Sequence, residues 1–525
     1  MASGEEEGLF DFLPEQAAPE RVGGGLPRLR FAERMQTRWR PVSLDGLLPD
    51  DHRVRLVWSF VEGLDLTALL ATIKAVDGRP GHPPADPRIL LALWLYATVE
   101  GIGSAREVAR LCDEHIAFEW LCGGVGMNAK TLADFRVDHG AVLECLLVDS
   151  FTALVRAGVA SLDRVAQDGV RVRASAGAAS FRRHSTLQEC RCEAEKAVHD
   201  LRTQLDTDPG AASRKQAAAR RRATEDRERR VRAALAVTEE LHAKQQEAAR
   251  KEAERAARKA PQDAAADAKG EAGEPASKKP REKEPRASTT DAQARVMKMA
   301  DGGFRPAYNV QFATDTKSTA IAGVSVDNIG SDMGKMLPMN DALAGQYGTR
   351  PRQHLADGGF AKLDDIEALA QNGVETFVPV PKPRNADRDR HAPQPSDPPG
   401  VADWRNRMGG DDAKTIYKER AATAECANAQ ARNRGLTQFL VRSMDKVKTI
   451  ALWHASDAGI KPASDAAAAR RCGKLPQSPR SMAATCARFI AIQRQNTPRR
   501  HIPTPRKPHA SINRSTKVDS FSGSQ

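Results

Sequence analysis

Asp357 lies in the stretch His354-Leu-Ala-Asp-Gly-Gly-Phe360, after a short apolar run and before two glycines. A helical pattern begins near Lys362. Strand, sharp turn and helix in that order put a carboxylate at the carboxyl end of a strand, where open α/β sheets usually keep their chemistry. The glycines let the backbone turn steeply and leave the acid reachable. A lone Asp-Gly pair is more often a solvated turn, so partner acids must be sought. Asp168 lies in Val165-Ala-Gln-Asp-Gly-Val-Arg-Val-Arg173, an alternating run with β-branched residues that reads as a strand. Glu425 lies in a helical pattern over residues 413–434, which Gly435 ends as a C-cap. Three gathered carboxylates repel one another and take up protons unless cations join them. Two hard divalent cations, Mg²⁺ or Mn²⁺, spaced roughly 3.5–4 Å apart resolve this and suit in-line phosphoryl transfer. One lowers the pKa of an attacking water or 3′-hydroxyl, and the other stabilises the leaving oxygen.

Long stretches of sequence separate these acids, so only a fold can gather them. Residues 308–315 and 319–326 read as two strands of a hairpin, and residues 335–346 as a helix. Residues 353–356 form the strand that ends at Asp357, followed by a helix over 364–372 and a strand over 376–380. A Pro- and Arg-rich loop, residues 381–411, leads to the Glu425 helix. Between the Asp168 strand and the hairpin lies an insert, residues 187–292. Its apolar residues Ala194, Val198, Leu201 and Leu205, then Val231, Ala234, Val237 and Leu241, recur at three- and four-residue steps on either side of the turn signal Asp206-Thr-Asp-Pro-Gly210. A coiled-coil hairpin of two helices is expected, with residues 260–292 as linker or disorder. Without the insert, the order of elements is that of a ribonuclease-H-like fold: α/β, a mixed sheet with flanking helices, one acid on the first strand, one after the fourth and one on a late helix.

Residues 1–30 are Gly-, Pro- and Glu-rich, which predicts a loose tail, and residues 31–157 read as an all-α N-terminal domain. Asp86-Pro87 starts one helix and Ser104-Ala-Arg-Glu107 is a capping box that starts another. A short helix-turn-helix-like stretch around Asn128 and Thr131 offers Arg106, Lys130 and Arg136 as phosphate contacts, although an all-helical bundle of any purpose fits the segment equally. Lys and Arg number 80 against 68 Asp and Glu, a net charge of +12, which favours a polyanionic partner. The acidic start Met-Ala-Ser-Gly-Glu-Glu-Glu lacks the features of a signal peptide. No apolar run approaches the ~20 residues that span a bilayer. The eight cysteines are scattered without a C-x-x-C pair, so reduced thiols and a cytoplasmic location are expected.

The combined motifs resemble a bacterial insertion-sequence transposase of the DDE class, in the subgroup with a long charged helical insert after the first acid. They are residues 165–177, Asp301-Gly-Gly-Phe-Arg-Pro-Ala-Tyr-Asn-Val-Gln311, Asp357-Gly-Gly-Phe360 and residues 417–435, within a resemblance that spans residues 30–453. It implies a ribonuclease-H-like catalytic domain over residues 158–455, with Asp168, Asp357 and Glu425 as catalytic and metal-binding acids and two Mg²⁺ or Mn²⁺ ions. It also implies double-stranded DNA as partner, both terminal inverted repeats and target, a nucleoid-associated location, and a homodimer pairing the two element ends. On the last helix the family carries a Tyr, Arg, Glu, Lys signature. Tyr417, Arg420 and Glu425 fill the first three places, Glu425 one residue later than the commonest spacing, and Arg432 stands where Lys is usual. With Arg434, these cations are expected to contact DNA.

Rival acids read as structural: Asp301 before a Phe-Arg-Pro loop, Glu419 as an arginine partner, Asp315 and Asp327 as turn caps. His139 and His354 read as packing or phosphate contacts. Residues 456–525 form an Ala-, Arg- and Pro-rich tail without periodicity, where the family has an apolar closing helix, which suggests a frame change or a decayed terminus. Two further readings therefore stand beside the transposase: a ribonuclease-H-like nuclease without strand transfer, and a catalytically inactive DNA-binding remnant.

Overall fold

The structure, a computed structural model, describes residues 35, 43–76, 78, 81–207, 214–267, 284–383 and 389–471. The chain divides into two units, Met1–Leu47 and Leu48–Gln525. In the first, the described residues include a short 3₁₀ turn, Asp45–Leu47. The loose tail read at residues 1–30 lies outside the described residues.

The second unit begins with seven helices: α1 (Arg53–Glu62), α2 (Thr67–Leu70), α3 (Pro87–Val99), α4 (Ala105–Glu114), α5 (Ile116–Cys122), α6 (Ala129–Asp138) and α7 (Gly140–Arg156). Their starts follow the capping residues. Asp86 accepts from Arg88 N at 2.8 Å ahead of Pro87, Ser104 from Glu107 N at 3.4 Å, and Asn128 from Thr131 N at 2.8 Å. Helix α3 is buried on nearly every side, which its near-continuous apolar sequence requires.

The chain then enters the sheet through β1 (Arg164–Arg173), followed by β2 (Phe181–Arg183). Two long helices come next, α8 (His184–Thr207) and α9 (Arg214–Asp267), packed on each other around Leu187, Ala234 and Leu235. Strand β3 (Arg286–Ser288) pairs antiparallel with β2, so the helix pair leaves and rejoins the body through one two-stranded clasp. Residues 284–292 therefore are not linker. Ala287 and Ser288 are fully buried, and the Ser180 and Ser288 hydroxyls lie 2.7 Å apart across the clasp. The Lys-, Glu- and Pro-rich composition hid a strand of only three residues, fixed by its partner rather than by its own pattern.

Strands β4 (Arg295–Lys298), β5 (Phe304–Asp315) and β6 (Ile321–Asp327) follow, then α10 (Met336–Tyr347), β7 (Gln353–Leu355), α11 (Leu363–Gln371) and β8 (Glu375–Phe377). One edge of β5 carries β4 and β6, and the other carries β1, all antiparallel. Strand β7 lies parallel to the far edge of β1, and β8 parallel to β7. The five longer-range partners therefore run β6-β5-β1-β7-β8, with β1 at the centre.

Residues 381–411, read from sequence as a loop, contain helix α12 (Pro399–Gly409). Proline is tolerated at a helix start, and Val401, Trp404 and Met408 recur at three- and four-residue steps that bury one face. Trp404 is fully buried and donates to Val378 O at 3.0 Å.

Helix α13 (Asp411–Arg420) runs into a five-residue π-helical turn, Ala421–Glu425, and then α14 (Cys426–Asn433). Helix α15 (Met444–Arg471) closes the described chain. It continues without a break through position 456, where the irregular tail was expected to begin; Ser456, Asp457 and Ile460 are all buried. Over residues 456–471 the expectation fails, because alanine-rich sequence holds a helix without a strong apolar stripe and Asp457 meets a buried polar partner, Arg434; the remainder of the tail, 472–525, lies outside the described residues. One core cluster joins side chains of α1, α3 and α6 to Val170 and Val172 of β1, Phe312 of β5, Ala427 and Ala431 of α14, and Trp453 of α15.

Candidate active site

Asp168 projects from the central strand. Its neighbour Gly169 faces Gln311 across the β1–β5 ladder, and a Cβ there would stand 2.4 Å from both Gln311 Nε2 and Asp332 Oδ1. Glycine is needed at 169 because these side chains cross directly over the strand. Gln311 and Asn309 donate to Asp332 Oδ1 at 2.6 and 2.7 Å, and Gln167 donates to Gln311 at 2.9 Å. Side chains alternate along a strand, so this polar network occupies one face of the sheet and Asp168 the other.

On its own face Asp168 meets the late helix. Asn428 Nδ2 donates to Asp168 Oδ2 at 2.9 Å, and the backbone N–H of Gly169 donates to Oδ1 at 2.9 Å. Burial raises the Asp168 pKa above the usual carboxylate range; Arg420 and the Gly169 N–H oppose the rise, and Asp357 and Asp332 add to it.

Asp357 stands two residues past the end of β7, the parallel neighbour of β1. It caps a short turn by accepting from Gly359 N at 2.8 Å, and remains half-buried. Arg420 lies within the field of both acids. Burial acts to lower its pKa, but Tyr417, Asp168 and Asp357 outweigh that and leave it raised. Arg420 Nε donates to Tyr417 Oη at 3.3 Å, and its Nη1 lies 3.8 Å from Glu425 Oε1. One guanidinium thus neighbours all three acids proposed from sequence.

The three acids are not equally placed. Asp168 and Asp357 face each other electrostatically, whereas the Glu425 side chain is 63% exposed and, among the described residues, has Arg420 at 3.8 Å as its ion-pair partner. Among the described residues, no three His, Cys, Asp or Glu side chains converge in an arrangement that could hold a metal ion. Asp168 and Asp357 offer the hard oxygen donors that Mg²⁺ and Mn²⁺ take. The exposed Glu425 carboxylate is linked to this pair through Arg420.

The remaining cations divide. Arg432, in the last turn of α14, is exposed, as are Arg106 and Lys130; Lys130 pairs with Asp134 one turn on. Arg136 is not a surface cation: it is buried, stacks over Trp94 at 4.4 Å, and donates to Gly103 O. The sequence reading mistook it because a charged residue on a short polar helix normally faces solvent; here Trp94 provides an aromatic face to cover it. Arg434 pairs with the buried Asp457.

The rival acids have partners of their own. Glu419 accepts from Arg164 at 2.6 Å, Asp301 pairs with Arg305, and Asp315 Oδ2 accepts from Ser318 N and Oγ at 2.9 and 2.6 Å. Asp327 Oδ1 accepts from Ile329 N at 2.5 Å. His354 is buried against Asn340. Sequence reasoning missed Asn428 and the Asn309–Gln311–Asp332 network. Asn428 carried one signal: it lies eight residues after Arg420, close to two turns of helix.

Residues 42–138, which include α1 to α6, match a family model described as a transposase domain (DUF772). No curated protein and no solved structure matches the chain. Among the described residues, no helix is long and apolar enough to cross a membrane.

Proposed function

We propose that this chain is a DNA transposase that binds the terminal inverted repeats of an insertion sequence, cleaves a strand there and joins the freed 3′-hydroxyl to target DNA. One observation carries the reading: Asp168 on the central strand and Asp357 beyond its parallel neighbour share one electrostatic site with Arg420. The strand order β6-β5-β1-β7-β8, three antiparallel strands and then two parallel to the first, supports a ribonuclease-H-like sheet around that pair. The transposase-domain match over residues 42–138 supports the same reading from the N-terminal helices.

Asp168, Asp357 and Glu425 would hold two Mg²⁺ or Mn²⁺ ions. When bound, these would activate an attacking water or 3′-hydroxyl and stabilise the leaving oxygen. Asn428 fixes the orientation of the Asp168 carboxylate. Arg420 balances the acids and is itself oriented by Tyr417. Arg432 is exposed and free to take a DNA phosphate.

A second reading, a DNA-binding remnant without catalysis, is favoured by the outward placement of Glu425. Labelled DNA carrying the flanking element end, incubated with Mg²⁺ or Mn²⁺, separates the two. Metal-dependent nicking at the repeat boundary, lost in Asp357→Asn, and joined products would support the transposase. Nicking without joining would point to a nuclease, and specific binding without nicking to the remnant.

A further inference from the structure

A cavity of about 320 Å³ lies where the α3–α4 connection, α6, the segment after α14 and α15 meet. Its volume is at the lower end of the ~300–1,000 Å³ usual for small-molecule sites. Two arginines line it, Arg136 and Arg434, together with His454. Their charges do not cancel. Arg434 is paired with Asp457, and nearby Arg53 with Glu100 at 3.0 Å. Arg136 has no carboxylate partner among the described residues. Its Nη1 reaches only a carbonyl, Gly103 O, and its buried Nε has no hydrogen-bond partner.

A cation more than nine-tenths buried without an anion is costly. Burial alone lowers the Arg136 pKa, to about 10, so it still carries its charge at neutral pH. His454 stays neutral: burial first, then Arg136 and Arg434, depress its pKa to about 3. Its Nδ1 is also buried and unpartnered. Ile102, Phe439 and Ile450 supply an apolar wall. The cavity thus combines an uncompensated positive charge, an unused imidazole nitrogen and apolar surface.

We propose that this cavity binds a phosphate ester of mononucleotide size, its anionic group taken by Arg136 and Arg434 and its organic part set against the apolar wall and His454. A free nucleotide and the unpaired end of a nucleic-acid strand share this chemistry. The site does not depend on Asp168, Asp357 or Glu425. It adjoins the helix that follows Glu425 all the same, because Arg434 directly follows α14.

Calorimetric titration of the full chain with thymidine monophosphate, thymidine and inorganic phosphate tests the proposal. The monophosphate is expected to bind at least about tenfold more tightly than thymidine, since an ionised group strengthens the hydrogen bonds it accepts. Arg434→Gln and Arg136→Gln should each weaken it about tenfold or more. If Arg136→Gln fails to fold, Gly103→Ala takes its place in the test. In Gly103→Ala the new Cβ would stand 3.7 Å from Arg136 Nη1, ordinary contact that narrows the cavity, so weaker binding by a folded protein is expected. Displacement of the monophosphate by a duplex with an unpaired end would identify the strand as occupant, and lack of displacement the free nucleotide. No binding of the monophosphate, equal binding of thymidine, or unchanged affinity in the folded variants would overturn the proposal.

Discussion

Asn428 Nδ2 donates a hydrogen bond to Asp168 Oδ2 at 2.9 Å, tying the late helix to the central strand. The other carboxylate oxygen is held by the Gly169 N–H, so the acid's plane is set from two sides. Asn428→Ala should lower metal-dependent cleavage about 10- to 100-fold, the usual cost of losing a group that orients a metal ligand. Cleavage rates at saturating Mg²⁺ and the Mg²⁺ dependence of both proteins check this. Unchanged rates would remove Asn428 from the mechanism.

The π-helical turn at Ala421–Glu425 gives a second prediction. Such a turn takes up one extra residue within a helix and occurs often at functional sites. Glu425 is one residue later than the commonest spacing in the DDE transposases that the sequence resembles, which is the offset a one-residue bulge corrects. Deleting Ala422 should therefore convert the segment to regular α-helix and preserve cleavage. The double variant Ala424→Glu with Glu425→Ala, which moves the acid without removing the bulge, should abolish it. Circular dichroism would confirm that both variants fold.

Acid should weaken the fold. His354 and His454 are buried, and burial lowers their pKa values to about 4 and about 3. In the unfolded chain both titrate near ~6.5. As pH falls below that value the unfolded state takes up protons first, so the stability contributed by neutral imidazoles is full above ~6.5 and is lost as pH falls through 4 and 3. Asp457 acts in the opposite direction: burial raises it to about 6, so it adds stability on acidification. Asp168, which burial also raises, joins Asp457, and His139, which burial also lowers, joins the two histidines, whose displacements are the largest and set the sign. The melting temperature should be lower at pH 5 than at pH 7, and His354→Gln should reduce that difference.

Trp404 locks α12 beneath the strand end that leads to Asp357. It is fully buried within the cluster that contains Leu355, Phe360 and Phe377. Trp404→Ala should cost about 3–5 kcal/mol, measured by urea denaturation. A much smaller loss would mean that α12 does not support the site.

A chain ending at Trp453 should be less stable and more protease-sensitive than the full chain. It loses His454, Ile460 and Asp457, and leaves Arg434 without its buried anion. Equal melting temperatures would show that residues beyond 453 contribute nothing to packing.

Much of this architecture was legible in the sequence wherever a period was long enough to read. β1 alternates along its ten residues, most of β5 reads as a strand over 308–315, and capping residues mark the starts of α3, α4 and α6. Strands β2 and β3 have three residues each, too few to show a period, and exist through their mutual pairing. Helix α12 was masked by flanking prolines. The acids could be named from their motifs. Their surroundings could not, because the roles of Arg136 and Asn428 depend on Trp94 and Asp168, which lie far away in sequence and close in space.

The clasp between β2 and β3 separates two mechanically independent parts of one chain. Since the long helix pair departs and returns through adjacent strands, its length can change without altering the register of β1 against β5. Insertions or deletions in α8 and α9 would be absorbed locally, leaving the sheet and the spacing of Asp168 from Asp357 in space untouched. The length and charge of the helix pair are thus mechanically uncoupled from the geometry of the sheet.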